Sequence, residues 1–135
     1  MKENKMISLT SVTIILFSHF VADFLFQTNL MAKGKSNSML KLSVHILTYT
    51  TVLTLLCSSI IFTDESKTLT DIFVFGIISG LLHFGVDFIT SKITSAQYAN
   101  GHLGSDTIPN FGFFSTIGFD QFLHSVMILW IFYAI

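Results

Sequence analysis

TDIFVFGIISGLLHFGVDFITSK, residues 70–92, decides how the rest of the chain is read. It is apolar over a length that suits a bilayer, about 20 residues, yet it carries His83 and Asp87 four residues apart, on one face of a helix. A water-soluble core helix would not need so long an apolar run, and a simple membrane anchor would not carry two ionisable groups. Inside a membrane such groups cost about 2.5–3.5 kcal/mol each on insertion scales and usually mark function.

Working outward, three further stretches have the same character. Apolar segments at roughly 6–26, 40–62 and 116–135 join 70–92 to predict an all-α, integral membrane four-helix bundle with antiparallel neighbours. A Lys-Gly-Lys-Ser-Asn-Ser turn (33–38), an acidic-polar turn (63–67) and a longer loop (93–115) connect them. The long loop between the third and fourth spans holds Gly101, Gly104, Pro109 and Gly112, residues that interrupt helices. Its length makes it a candidate lid. Composition agrees: 51% of the residues are hydrophobic, 11% are charged and the mean hydropathy is +0.70, where soluble domains carry about 25% charged residues. The 135 residues form a single transmembrane domain on this reading.

Other features are given structural readings. Lys2 and Lys5 ahead of the Met6–Phe17 run would suit a signal peptide, but no small-x-small cleavage site follows and the segment continues into His19, Asp23 and Gln27, so it is read as the first span. The one cysteine, Cys57, excludes an internal disulfide and is read as a small core- or lipid-facing side chain. Gly76-x-x-x-Gly80 is a close-packing feature. Trp130 and Tyr133 suit an interfacial aromatic belt. A net charge of -1 gives no reason to expect a nucleic-acid partner. Lysines are spread almost evenly over the two membrane faces, and the long-loop face is read as cytoplasmic.

Seven ionisable side chains carry the chemistry: His19 and Asp23 in the first span, His45 in the second, His83 and Asp87 in the third, Asp120 and His124 in the fourth. Three spans place His and Asp at i, i+4, and the order inverts in the fourth. All seven fall in the half of their span nearest the 33–38 turn and the long loop, so they converge on one layer. Imidazole with carboxylate on facing helices is a donor set for zinc, iron or manganese. The expectation is one or two divalent transition-metal ions, zinc favoured, with all seven residues as candidate ligands. Gln27 and Tyr49, one turn beyond Asp23 and His45, are candidate supporting residues. His102 and Asp106 in the long loop are read as solvated.

These motifs, His19-x-x-x-Asp23-Phe24-x-x-Gln27 with Lys33 or Lys35 nearby, His45, His83-x-x-x-Asp87 and Asp120-Gln121-x-x-His124, resemble the bacterial membrane family called domain of unknown function 3307. Thr90 stands where the family pattern leads one to expect Lys. The resemblance implies a multi-pass protein of the bacterial plasma membrane and supplies no activity.

The function read from the residues is a metal-dependent hydrolase acting on an amphiphilic substrate at one membrane face, with Asp23, Asp87 or Asp120 as general base. Lys33, Lys35, Lys41 and Lys92 on that face favour an anionic head group, or attract anionic lipids of the bilayer. The alternatives are a non-catalytic accessory protein, in which a metal or a His–Asp hydrogen-bond layer staples the bundle, and a metal-ion or proton transporter. A transporter needs a polar path that the apolar halves of the spans lack, unless a homo-oligomer provides one. Di-iron redox chemistry ranks below hydrolysis.

Overall fold

The computed structural model describes residues 6–135, so Lys2 and Lys5 lie outside the described residues. Helix α1 runs Leu9–Phe20 and continues as a π-helical turn over Val21–Leu25. The others are α2 (Asn29–Gly34), α3 (Met39–Cys57, prolonged by a 3-10 turn Ser58–Phe62), α4 (Leu69–Ala99) and α5 (Phe113–Ala134). Among the described residues there is no strand.

Polar residues at the boundaries set where the apolar runs become helices. Ser8, Thr28, Ser38 and Thr68 each accept a backbone N–H of the first turn that follows, satisfying donors with no partner inside the helix. Thr68 and Asp71 form a reciprocal pair, Asp71 Oδ2 accepting from the Thr68 N–H at 2.8 Å and Thr68 Oγ1 from the Asp71 N–H at 3.2 Å. At the other end α4 stops at Gly101, whose φ is +68°. There the N–H of Gly101 reaches the Tyr98 carbonyl and that of His102 the Gln97 carbonyl, a closing motif that favours glycine.

Helix α4 therefore extends seven residues beyond the expected 92 and shortens the long loop to 100–112. Hydropathy falls after Lys92, but Ile93 to Ala99 contains no breaker, and a helix needs none of its apolarity to continue. The short helix α2 was not expected either. Met39–Phe62, Leu69–Ala99 and Phe113–Ala134, of 24, 31 and 22 residues, are long and apolar enough to cross a membrane; Leu9–Leu25 is apolar but shorter, because Ser8 starts it late and the π turn ends it at Leu25.

Helix α4 packs most extensively against α3 and α5, and α1 packs against α3 and α5. Neighbours run antiparallel: Gly76 faces Thr54 and Gly80 faces Thr50, while Thr90 meets Asp120 and Phe75 meets Phe132. Gly76 and Gly80 let α3 and α4 approach so closely that a Cβ at either would overlap the facing threonine. Gly80→Val should lower stability by about 1–3 kcal/mol, the usual cost of overpacking. Gly85→Ala, where a Cβ meets nothing within 4 Å, should be neutral or slightly stabilising. Thermal unfolding in detergent compares the two.

The interior has two zones. Ile15, Leu53, Ile60, Ile72, Phe75, Ile128 and Phe132 fill one end together with Cys57. The other end is polar. The buried set holds as many polar as apolar residues, twelve of each among the described residues, while Phe17, Leu47, Phe73, Leu81, Phe122 and Trp130 are among the many large apolar side chains left exposed. So large a polar share of the interior departs from that of an ordinary soluble protein, whose buried residues are mostly apolar.

Candidate metal centre

Asp23 lies in the π turn of α1, a wide turn of a kind that often sits at functional sites. Gln27 Nε2 donates to the Asp23 carbonyl at 2.7 Å, so Gln27 supports the backbone that carries Asp23, while its Oε1 is buried without a protein donor. From α3, the second helix of the cluster, His45 and Tyr49 point inward one turn apart, both fully buried. Helix α4 adds His83 and Asp87, and α5 adds Asp120, Gln121 and His124.

The tightest geometry surrounds His45 Nε2. It lies 3.2 Å from Asp23 Oδ1, 3.2 Å from Asp87 Oδ2 and 3.3 Å from His83 Nε2. His83 Nε2 in turn lies 3.4 Å from Asp23 Oδ1 and 3.6 Å from Asp87 Oδ2. Asp23, His45 and His83 thus form a triangle with edges of 3.2, 3.3 and 3.4 Å, and Asp87 completes a second triangle on the His45–His83 edge. Metal–ligand distances of about 2.0–2.1 Å place tetrahedral zinc ligands about 3.3–3.4 Å apart, so the first triangle has the size of one face of such a polyhedron.

Hydrogen bonds alone account poorly for this crowding. A ring nitrogen carries at most one hydrogen, so His45 Nε2 can donate to only one of its three neighbours. On the far side of the rings, His45 Nδ1 and His83 Nδ1 are buried without a partner. Charge points the same way. The three carboxylates Asp23, Asp87 and Asp120 are 2%, 1% and 6% exposed, and among the described residues Lys35 is the one ammonium paired with them, at 2.9 Å from Asp87 Oδ2. When the three are ionised, two negative charges remain, and bound cations would offset them. Uncompensated charge is costly to bury.

Among the described residues three triads could each hold a metal ion, with ligand atoms within 4.8 Å of one another: Asp23, His45 and His83; His83, Asp87 and His124; His19, Asp23 and His124. Six of the seven expected residues enter a triad. Asp120 does not. Its Oδ1 accepts from Thr90 Oγ1 at 2.6 Å and its Oδ2 from Gln121 Nε2 at 3.1 Å, which places it at the edge of the cluster. Tyr49 stacks on the His83 ring with centroids 3.9 Å apart, and its hydroxyl lies 3.2 Å from His19 Nδ1. His102 and Asp106 are exposed in the loop.

Sequence reasoning missed the roles of three residues here. Lys35 was grouped with the head-group lysines, yet it reaches from the turn after α2 onto Asp87. Burial alone would push its ammonium down, and the neighbouring Asp87 and Asp23 carboxylates outweigh that and raise it above the ordinary lysine value. Gln121 joins Asp23, Asp120 and His19 through its amide, at 3.0, 3.1 and 3.3 Å. Thr90 anchors Asp120, a function that a hydroxyl performs and that does not require the expected Lys.

Fold and site together define a class: an all-helical protein with helices apolar enough to span a membrane, whose buried His/Asp clusters could hold a metal ion. The chain belongs to the family described as Protein of unknown function (DUF3307), whose model matches residues 12–135, nearly its whole length. No curated protein and no solved structure matches it.

Proposed function

We propose that this chain is an integral membrane four-helix bundle of α1, α3, α4 and α5 that holds a divalent transition metal between Asp23, His45 and His83, and hydrolyses an amphiphilic substrate at the membrane face nearest that site. The observation that carries the reading is the Asp23–His45–His83 triangle. Three protein ligands with a remaining position are the pattern of catalytic zinc sites, whereas structural sites are closed by four. The exposed apolar surface and polar interior support the membrane setting, since a bilayer solvates the former and excludes water from the latter.

A bound divalent ion supplies Lewis acidity and acidifies water to a pKa of about 7. The chain's own residues supply the rest. Asp120, held by Thr90 and Gln121 at the edge of the cluster, is placed to accept a proton. Lys35 brings positive charge to the same edge, where an anionic head group would meet it. Asp87 orients His45 and Lys35 and keeps that charge close to the cluster.

Transport is disfavoured by the apolar end of the interior, where the Phe75 and Phe132 rings pack edge to face with centroids 5.6 Å apart. The burial of His45, His83 and His124, each 0% exposed, favours a second reading in which the metal only staples the helices. Both are separated by one experiment on detergent-purified protein: elemental mass spectrometry, then a screen of carboxylic and phosphoric esters of fatty alcohols with zinc-loaded and chelator-stripped samples. The hydrolase reading expects at least one equivalent of metal and ester cleavage that is lost on chelation. Metal without cleavage leaves the staple, and protein that stays metal-free after incubation with zinc, iron and manganese removes both.

A further inference from the structure

His124 is not needed by the Asp23–His45–His83 triangle, and its surroundings ask for something else. The side chain is 0% exposed, and neither ring nitrogen has a hydrogen-bond partner among the described residues. Asp120 Oδ2 is 3.6 Å from Nδ1, beyond hydrogen-bond range. The ring is held rather than loose, stacked on His83 with centroids 3.9 Å apart. Buried polar atoms without partners are uncommon and call for an explanation such as a bound ion or water.

The neighbours of His124 are ligand types. With His19 and Asp23 it can present three donor atoms within 4.8 Å of one another. Asp23 has two oxygens with different outlooks: Oδ1 faces His45 and His83, and Oδ2 accepts from Gln121 Nε2 on α5 at 3.0 Å. A carboxylate so divided can bridge two cations. The Gln121 amide is already engaged there, with Nε2 near both Asp23 and Asp120 and Oε1 near His19 Nε2, marking this as a place where a positive group is favoured.

We infer that His124, His19 and Asp23 form a second cation position beside the first, with Asp23 shared between the two. This rests on the metal-site reading above and goes beyond it in number of ions and in the role of His124. Binding of the second ion displaces the Gln121 hydrogen bonds to His19 and Asp23 and gives His124 the partner it otherwise lacks.

The test is a zinc titration of chelator-stripped, detergent-purified protein, read by elemental mass spectrometry after gel filtration and repeated with cobalt to record the electron paramagnetic resonance signal. Wild type should bind two equivalents, and its fully loaded cobalt form should show the weakened signal of two coupled ions. His124→Phe keeps a flat ring against His83, should bind one equivalent, and should give the stronger signal of an isolated ion. One equivalent in wild type overturns the inference: retained in His124→Phe, it leaves the first site intact, and lost in His124→Phe, it makes His124 a ligand of a single ion. No metal in wild type overturns the inference and the metal-site reading together. Should His124→Phe fail to fold by circular dichroism, the wild-type count and cobalt coupling decide alone.

Discussion

Replacing His83 by alanine should abolish metal binding at the Asp23–His45–His83 triangle. His83 belongs to two of the three triads, and its Nε2 is within 3.6 Å of His45, Asp23 and Asp87. The ring lies between Tyr49 and His124, with centroids 3.9 Å from each, so its orientation is set by packing. Loss of a residue that merely orients a ligand weakens metal affinity about 10–100-fold, so loss of a direct ligand should exceed that. Elemental mass spectrometry should find the equivalent held by that triangle missing in His83→Ala, while His102→Ala, in the exposed loop, should keep all of the wild-type metal. Cavity formation confounds the alanine variant by about 2–4 kcal/mol, so His83→Gln, which fills the space with a poorer ligand, is measured beside it. If His83→Gln keeps wild-type metal content and affinity, the triangle is a hydrogen-bonded cluster and the proposed function falls.

The meeting of six of the seven residues in the triads was legible because two independent regularities coincide: the i, i+4 spacing, and a common depth that survives the inversion of order at Asp120 and His124. How the pairs are used was not legible. Within a helix the partners stay apart, His83 to Asp87 and His124 to Asp120 both at 3.6 Å, while between helices His45 approaches Asp23 and Asp87 to 3.2 Å. Spacing along the chain says which face a side chain occupies, and only tertiary packing says what it meets there. The π turn at Asp23, whose carbonyl accepts from the Gln27 side chain, is a feature that no periodicity announces. Lys35 and Asp87 are 52 positions apart, and the short helix α2 that aims Lys35 is too brief to leave a hydrophobic pattern. The C-terminal end of α4 was missed for a simpler reason: apolarity marks where a helix could meet lipid, whereas Asn100 and Gly101 mark where it ends.

The Lys35–Asp87 pair gives the second large effect. Asp87 is 1% exposed at its side chain and Lys35 16%, so Lys35→Met leaves a carboxylate buried with no ammonium beside it. Breaking a buried pair from one side typically costs about 3–5 kcal/mol; partial exposure of Lys35 puts the expected loss near 3 kcal/mol in metal-free protein. Asp87→Asn in the same chain removes the stranded charge and should recover much of that loss, which shows that the cost is electrostatic rather than a loss of packing by the lysine stem. Zinc should behave differently in the two backgrounds. A cation in the Asp23–His45–His83 triad lies beside Asp87 and takes over the neutralisation that Lys35 provides, so zinc should stabilise Lys35→Met by more than it stabilises wild type. By linkage the variant must then bind zinc more tightly than wild type. Denaturant unfolding in detergent, with and without zinc, measures all four states. Equal stability of metal-free Lys35→Met and wild type would mean that water already screens Asp87. A zinc increment no larger in the variant than in wild type would mean that Lys35 and the metal do not compete for the same negative charge, and the ion would then have to sit on the His19–Asp23 side of the cluster, away from Asp87.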